Sequence, residues 1–210
     1  MMNTVFVFMG KSGVGKDTIF HKIMKEMQYL TRIVPITTRP PRPGEIDGKE
    51  YKFVTNEEFQ RMIDDNEILE YRIYKVKNQD DSNAYWYYGH PSGKNEKYSA
   101  LIGTPEVCEN LHRNSYIYVV PIYIDIPDDE RLYRMITRES QSPEPNFREL
   151  IRRYHQDNID FSANVIYGKL LNTQNNLVVS NMNIDNAVNT IRDFITRYIE
   201  RSECYGNHIM

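Results

Sequence analysis

The chain has 210 residues, 40% hydrophobic and 26% charged, with a formal net charge of -3. That length supports one sizeable core with small appended lobes. The balanced charge gives no reason to expect nucleic acid or an anionic membrane as a partner, so any anion site must be local.

The first unit reads strand, glycine-rich turn, helix. Thr4 to Met9 is a short apolar run with β-branched and aromatic residues, as a strand buried on both faces requires. Its apolar part, Val5 to Met9, is too short to span a bilayer, and the leader Met1-Met2-Asn3-Thr4 lacks the basic region of a signal peptide. Ile19, Phe20, Ile23, Met24 and Met27 recur at helical spacing. Between strand and helix lies Gly10-Lys11-Ser12-Gly13-Val14-Gly15-Lys16. This meets the G-x-x-x-x-G-K pattern, in which successive backbone N–H groups at a helix start wrap phosphates and the lysine neutralises the transferring group. The usual next residue is Ser or Thr, whose hydroxyl binds Mg²⁺; here it is Asp17, followed by Thr18. A carboxylate is itself a magnesium ligand. The alternative is that Asp17 is merely a first-turn acid that favours the helix dipole.

The texture changes from Arg32 to Lys97. Thr37-Thr38-Arg39-Pro40-Pro41-Arg42-Pro43-Gly44 is too proline-rich for a regular element. Lys49 to Val54 reads as a strand, and Thr55 with Glu58 forms a capping box that opens a helix carrying Phe59, Met62 and Ile63. Glu67 to Val76 and Tyr85 to Tyr88 read as short strands joined by a polar hairpin loop, Asn78 to Asn83. The α/β alternation returns with a strand at Ser99 to Ile102, then a helix capped by Thr104 and started by Pro105. Ile117 to Ile126 is the next strand, and Asp128 is expected to cap a helix through Ile136. A polar loop, Ser140 to Asn146, precedes a helix from Phe147 to Ile159 with arginines on its exposed side. Leu177 to Val179 and a closing helix through Tyr198 complete the pattern, and the tail from Ser202 should fray. Two cysteines, Cys108 and Cys204, make neither a metal spacing nor a disulfide framework, so a cytoplasmic location is expected.

The segment from Thr37 through Arg39-Pro40-Pro41-Arg42-Pro43-Gly44-Glu45 to Tyr51 resembles the acceptor-phosphate signature of the guanylate kinase family. Phe53-Val54, Glu58-Phe59, Ile68-Leu69-Glu70-Tyr71 and Tyr88-Gly89 extend the similarity, which is strong over the first 90 or so residues and loose thereafter. The resemblance implies a three-layer α/β/α P-loop NTPase fold with a parallel core sheet, an inserted mixed-sheet lobe that binds a nucleoside monophosphate, and a helical lid. It implies a core of residues 1–33, 97–136 and 160–201, an acceptor lobe of residues 34–96 and a lid of residues 137–159. ATP would bind through Gly10, Lys11, Ser12, Gly13, Val14, Gly15, Lys16, Asp17, Thr18 and Asn181, with Mg²⁺ at Asp17. GMP would bind through Arg39, Arg42, Tyr51, Glu70 and Tyr88. Arg39 and Arg42 can fork onto one monophosphate, the two tyrosines add hydroxyls, and Glu70 would accept two N–H bonds from guanine. Lys16 and the lid arginines Arg134, Arg138 and Arg153 would stabilise charge spread over the transferring phosphoryl group.

The chain departs from the family in two places. Leu101 and Gly103 stand where the family has a core Asp-x-Asp, and Pro35 replaces a guanine-side Ser or Thr. Ribose 1,5-bisphosphate phosphokinases share the Lys-Asp loop and the missing core Asp, so that acceptor is an alternative. A non-catalytic guanylate-kinase-like binding module is another, although such a module needs no phosphate-loop lysine. Small-molecule substrates, no nucleic acid, no membrane, and a monomer or homodimer are the partner expectations.

Overall fold

The structure, a computed structural model, describes residues 3–41, 44–77, 83–92, 96–170 and 175–206. Strand β1 (Asn3–Met9) is its central element. Its side chains alternate, and both sets are buried. Phe6 and Phe8 point into a cluster with Ile19, Phe20, Ile23, Val188, Ile191 and Ile195. Val5, Val7 and Met9 point into another with Val107, Cys108, Leu111 and Phe161. Helices α1 (Lys16–Glu26) and α7 (Ile184–Gly206) therefore cover one face of the sheet, and α3 (Pro105–His112) the other. Each such large apolar side chain contributes about 1.5–3 kcal/mol when removed from water, which is why the strand reads as a continuous apolar run.

The core sheet has the order β2-β7-β1-β8-β9 and is parallel throughout, with β2 at Thr31–Arg32, β7 at Tyr98–Ile102, β8 at Ile117–Asp125 and β9 at Leu177–Ser180. A separate mixed sheet has the order β4-β3-β6-β5, from β3 (Ile36–Thr37), β4 (Lys52–Phe53), β5 (Ile68–Lys77) and β6 (Asn83–Pro91). Helix α2 (Asn56–Asp64) packs Phe59 on this second sheet, 5.3 Å from the Tyr87 ring. The remaining helices are α4 (Asp128–Ser140), α5 (Phe147–Asp160) and the short α6 (Ala163–Val165), which runs into a π-helical turn. No described helix is long and apolar enough to cross a membrane.

The caps at Thr55 and Thr104 form as expected: Thr55 and Glu58 exchange both bonds of a capping box, and Thr104 accepts from the Val107 N–H ahead of Pro105. Several expectations are corrected. The strand expected over Lys49 to Val54 shrinks to Lys52–Phe53, because the Gly48 N–H and Lys49 N–H are committed to a turn on Tyr51 and Ile46. The proline-rich segment is irregular over its described residues beyond Thr37, where the short strand β3 ends. Asp128 is not the cap of α4; Pro127 is, and the Asp128 carboxylate turns toward Lys11 and Arg131. Helix α7 continues to Gly206, past the point where fraying was expected, helped by the Tyr98 hydroxyl on Ser202 and Lys97 on Glu203. Most of the expected hairpin loop, residues 78–82, lies outside the described residues, as does Arg42.

Candidate active site

The glycine loop joins β1 to α1 at the end of the core sheet where β8 also stops. Gly13 and Gly15 have φ of 89° and 85°, the left-handed region that glycine enters without strain. Gly10 is needed for a different reason: a Cβ there would lie 2.5 Å from the Ile124 carbonyl oxygen. A Cβ on Gly15 would lie 2.5 Å from Nδ2 of Asn181. That amide donates to the Val14 carbonyl at 2.7 Å and so pins the loop from β9's end, while its own Oδ1 is buried without a hydrogen-bond partner among the described residues. Lys16 opens α1, and Asp17 beside it is largely exposed, with Oδ2 at 3.7 Å from the Lys16 Nζ. Thr18 is exposed in the same turn.

A carboxylate from α5 reaches this loop. Asp157 Oδ2 accepts from the Ser12 N–H at 2.6 Å and lies 3.5 Å from Arg131. The Arg131 side chain is fully buried; it donates to Asp128 and Asn158 and stacks over the Tyr154 ring at 4.0 Å. Lys11 donates to the same Asp128 oxygen at 3.3 Å. Burial raises the Asp128 pKa, but Lys11 and Arg131 outweigh it and hold the carboxyl below its ordinary value. The loop is therefore tied to α4 and α5 by a chain of ion pairs, one of which engages a backbone donor of the kind phosphates use.

The residues expected on the acceptor side gather around one face of the β5–β6 ladder. Because strand side chains alternate, Glu70, Arg72 and Tyr74 share a face of β5 and stand opposite His90, Tyr88 and Trp86 in register. A bulge just before Glu70 sets this register. The Tyr51 and Tyr88 rings meet edge to face at 6.0 Å. Arg39 is buried with its guanidinium 5.5 Å from the Tyr51 ring, donating to Glu45 at 2.8 Å and to the Pro40 carbonyl. Burial works to lower the Arg39 pKa, but Glu45 and Tyr88 overcome it and the value is raised. Burial, with Tyr88 adding to it, raises the Tyr51 hydroxyl as well, so it remains a donor.

One cleft of about 760 Å³ joins the two halves. Ser12 and Lys16 line it from the glycine loop and the start of α1, Tyr51, Arg72, Tyr88 and His90 from the mixed-sheet lobe, and Arg152, Arg153 and Asp157 from α5. Of the arginines expected at the transferring phosphate, Arg153 faces this cleft, paired with Glu139 at 3.6 Å. Arg134 sits instead behind the loop, bonded to Glu130 and to the Asn181 carbonyl. Arg138 is exposed and does not line the cleft. Arg152 does, and its signal was present in the sequence as the neighbour of Arg153.

Glu70 does not line the cleft, and its side chain is 1% exposed. Burial would raise its pKa, but the hydrogen bond and charge of His90, and then the charge of Arg72, keep it below the ordinary carboxylate value. His90 and Arg72 were missed in the sequence, although each sits in a motif that was noticed: His90 directly follows Tyr88-Gly89, and Arg72 follows Glu70 by two. The strand end where a core Asp-x-Asp was missing is closed to such a group. A Cβ on Gly103 would approach Val7, Leu101 and Val107 to 2.9–3.1 Å. Arg72 donates instead to the adjacent Thr104 hydroxyl at 3.1 Å.

A sequence model of the guanylate kinase family matches residues 2–198. The chain belongs to the guanylate kinase family. Within that family, it is similar to the guanylate kinase of Oceanobacillus iheyensis, 33% identical over 150 residues, which take in 67% of this chain and 66% of that protein. It is 35% identical over 153 residues to the guanylate kinase of Symbiobacterium thermophilum, across 70% of this chain and 68% of that one. The alignment thus spans just under two thirds of the first relative's length and just over two thirds of the second's. The fold is that of the guanylate kinase crystal structure from Anaplasma phagocytophilum, with a TM-score of 0.57 over 94% of this chain and 86% of that one, at 17% identity.

Proposed function

We infer that this guanylate kinase family member transfers the γ-phosphoryl group of ATP to GMP or dGMP, giving ADP and GDP or dGDP. The observation that carries the reading is the single cleft in which Lys16 of the phosphate loop, Arg153 of α5 and the Tyr51–Tyr88 pair face one another. Such an arrangement can place a donor triphosphate and an acceptor monophosphate in line, and phosphoryl transfer needs little more than positioning and charge. In this reading Gly10 to Thr18 hold the triphosphate by backbone N–H groups, and Lys16 neutralises the moving group. Arg39, Arg42, Tyr51 and Tyr88 hold the acceptor phosphate, and Asn181 offers its side-chain amide oxygen, Oδ1, on the adenine side. Arg153, with Arg152 beside it, supplies positive charge over the equatorial oxygens, while Arg134 acts at a distance by bracing Asn181. We assign the acceptor role to residues 34–96 and the closing role to residues 137–159.

The residues present fit a magnesium ion. Mg²⁺ is commonly held by one or two carboxylates together with substrate phosphates and water, and Asp17 offers one exposed carboxylate beside Lys16. The ion would neutralise the donor phosphates. In this reading substrate phosphates and water supply the remaining ligands.

A coupled ADP-release assay over GMP, dGMP, AMP, CMP, UMP and ribose 1,5-bisphosphate tests the assignment. GMP and dGMP should lead in kcat/KM. A lead for the ribose bisphosphate, or no turnover of any nucleotide, would refute it.

A further inference from the structure

We propose that Arg72 is a further acceptor-binding residue, its guanidinium donating to the acceptor's phosphate beside Tyr51 and Tyr88. The proposal rests on the GMP reading above and deepens it. It leaves the base contact expected of Glu70 in place.

Register brings the group together. Arg72 stands directly opposite Tyr88 across the β5–β6 ladder, and opposite residues on one face of a sheet lie close enough to share a ligand. The Tyr88 ring meets Tyr51 at 6.0 Å and Tyr74 at 5.3 Å, both edge to face. Arg72 and all three tyrosines line the cleft. Arg39 also approaches the Tyr51 ring, at 5.5 Å, but its guanidinium is engaged by Glu45 and the Pro40 carbonyl.

The Arg72 guanidinium is aimed without being saturated. Nη1 donates to the Thr104 hydroxyl at 3.1 Å and to the Tyr74 hydroxyl at 3.4 Å. Nε lies 3.6 Å from Glu70 Oε2, too far for a hydrogen bond, and the short bond of that carboxylate, 2.6 Å, goes to His90. Anchors on Thr104 and on β5 thus fix the plane of the fork. Nη2 makes no hydrogen bond among the described residues, and, unlike Nε, it is not a buried unpaired atom. It is the edge of the guanidinium left for a ligand, on a side chain 12% exposed.

The chemistry of the group sets what that ligand must offer. A guanidinium carries donors only. Burial raises the Tyr51 and Tyr74 hydroxyls despite the charge of Arg72, so both keep their protons. The Tyr74 oxygen accepts from Arg72, which leaves its own proton to donate. Donors and one positive charge therefore converge, and they call for an acceptor-rich anion. The phosphate of a nucleoside monophosphate answers with three strong acceptor oxygens and a charge of about -1.5 to -2, in a shape that suits an arginine fork.

The test compares wild type, Arg72→Met and Arg72→Lys. Arg72→Met keeps most of the stem and removes the donors; it should raise KM for GMP about 10-fold or more, with a smaller change in kcat. Arg72→Lys keeps the charge without the fork and should recover part of that loss. Calorimetry with GMP and with guanosine supplies a readout that a structural role would not move. Arg72→Met should weaken GMP by about 10-fold and guanosine by less than about 2-fold, because guanosine has no phosphate to lose. Equal weakening of the two, an unchanged KM, or a fall in kcat larger than the rise in KM overturns the proposal while leaving GMP kinase activity in place. Absence of GMP turnover in wild type overturns the reading above and this inference with it. Where Arg72→Met fails to fold, the Arg72 Nε–H resonance of the wild-type protein decides. Saturating GMP should shift it further than saturating guanosine does, and equal shifts, or none, overturn the assignment.

Discussion

Removing the Asp157 side chain should tighten ATP binding. In the structure its carboxylate accepts the Ser12 N–H at 2.6 Å, inside the loop whose N–H groups are expected to receive phosphate oxygens. A triphosphate taking that N–H must displace an anion that also repels it. A hydrogen bond to a charged group contributes about 1.5–3 kcal/mol net, which converts to about 10- to 150-fold in a binding constant. The Asp157 side chain is 17% exposed and its charge is shared with Arg131 at 3.5 Å, so the lower end applies, about 10-fold. Arg131 keeps Asp128 and Asn158 as partners after the change, so it is not left as a lone buried charge. Asp157→Ala should therefore lower the Kd for ATP in titration calorimetry about 10-fold, together with a modest fall in the melting temperature of the nucleotide-free protein. Equal or weaker ATP binding in a folded variant would refute the reasoning, because it would mean that the carboxylate stays in place, or helps, when ATP is bound.

Lys16→Ala should cut turnover by about 10² or more while the circular dichroism spectrum and melting temperature change little, since among the described residues the side chain makes one loose ion pair, at 3.7 Å; near-normal turnover would remove the phosphate-loop assignment. Asp17→Ala should raise the Mg²⁺ concentration for half-maximal rate, and Asp17→Ser should restore part of it; an identical Mg²⁺ dependence in both would leave Asp17 as a helix-start acid. The Glu70 pKa is depressed in the folded state, so the unfolded chain takes up that proton first. Its contribution to stability is complete above the unfolded value of about 4.3 and is lost as pH falls through the lower folded value. Glu70→Gln should accordingly flatten the acid limb of a denaturation series below about pH 5, and an unchanged limb would contradict the ion-pair geometry.

Much of the frame was legible before the structure. The strand, glycine loop and helix at the start, the caps at Thr55 and Thr104, and the alternation of strands and helices rest on local rules: burial on both faces, left-handed glycines, hydroxyl caps. Those rules act over a few residues, so a few residues reveal them. The family was legible too, as a resemblance carried by a long run of residues. Element ends were less so, because Lys49 to Val54 and the last turns of α7 depend on turn bonds and side-chain ties formed elsewhere in the chain.

What the sequence determined by itself, then, was the strand, glycine loop and helix at its start, the family and the class of fold. The tertiary structure alone decided which charged groups meet. Asp157 lies 145 residues from Ser12, and nothing local marks it as the carboxylate that holds a loop N–H. Arg134, Arg138 and Arg153 look alike along the chain, yet of the three only Arg153 lines the cleft, while Arg134 is bonded to the residue after β9 and Arg138 is exposed. His90 and Glu70 become partners through the register of β5 on β6, which places them opposite each other. Periodicity names the face of a strand; register and packing, which depend on the whole fold, decide which atoms on that face are paired and which stand open to a ligand.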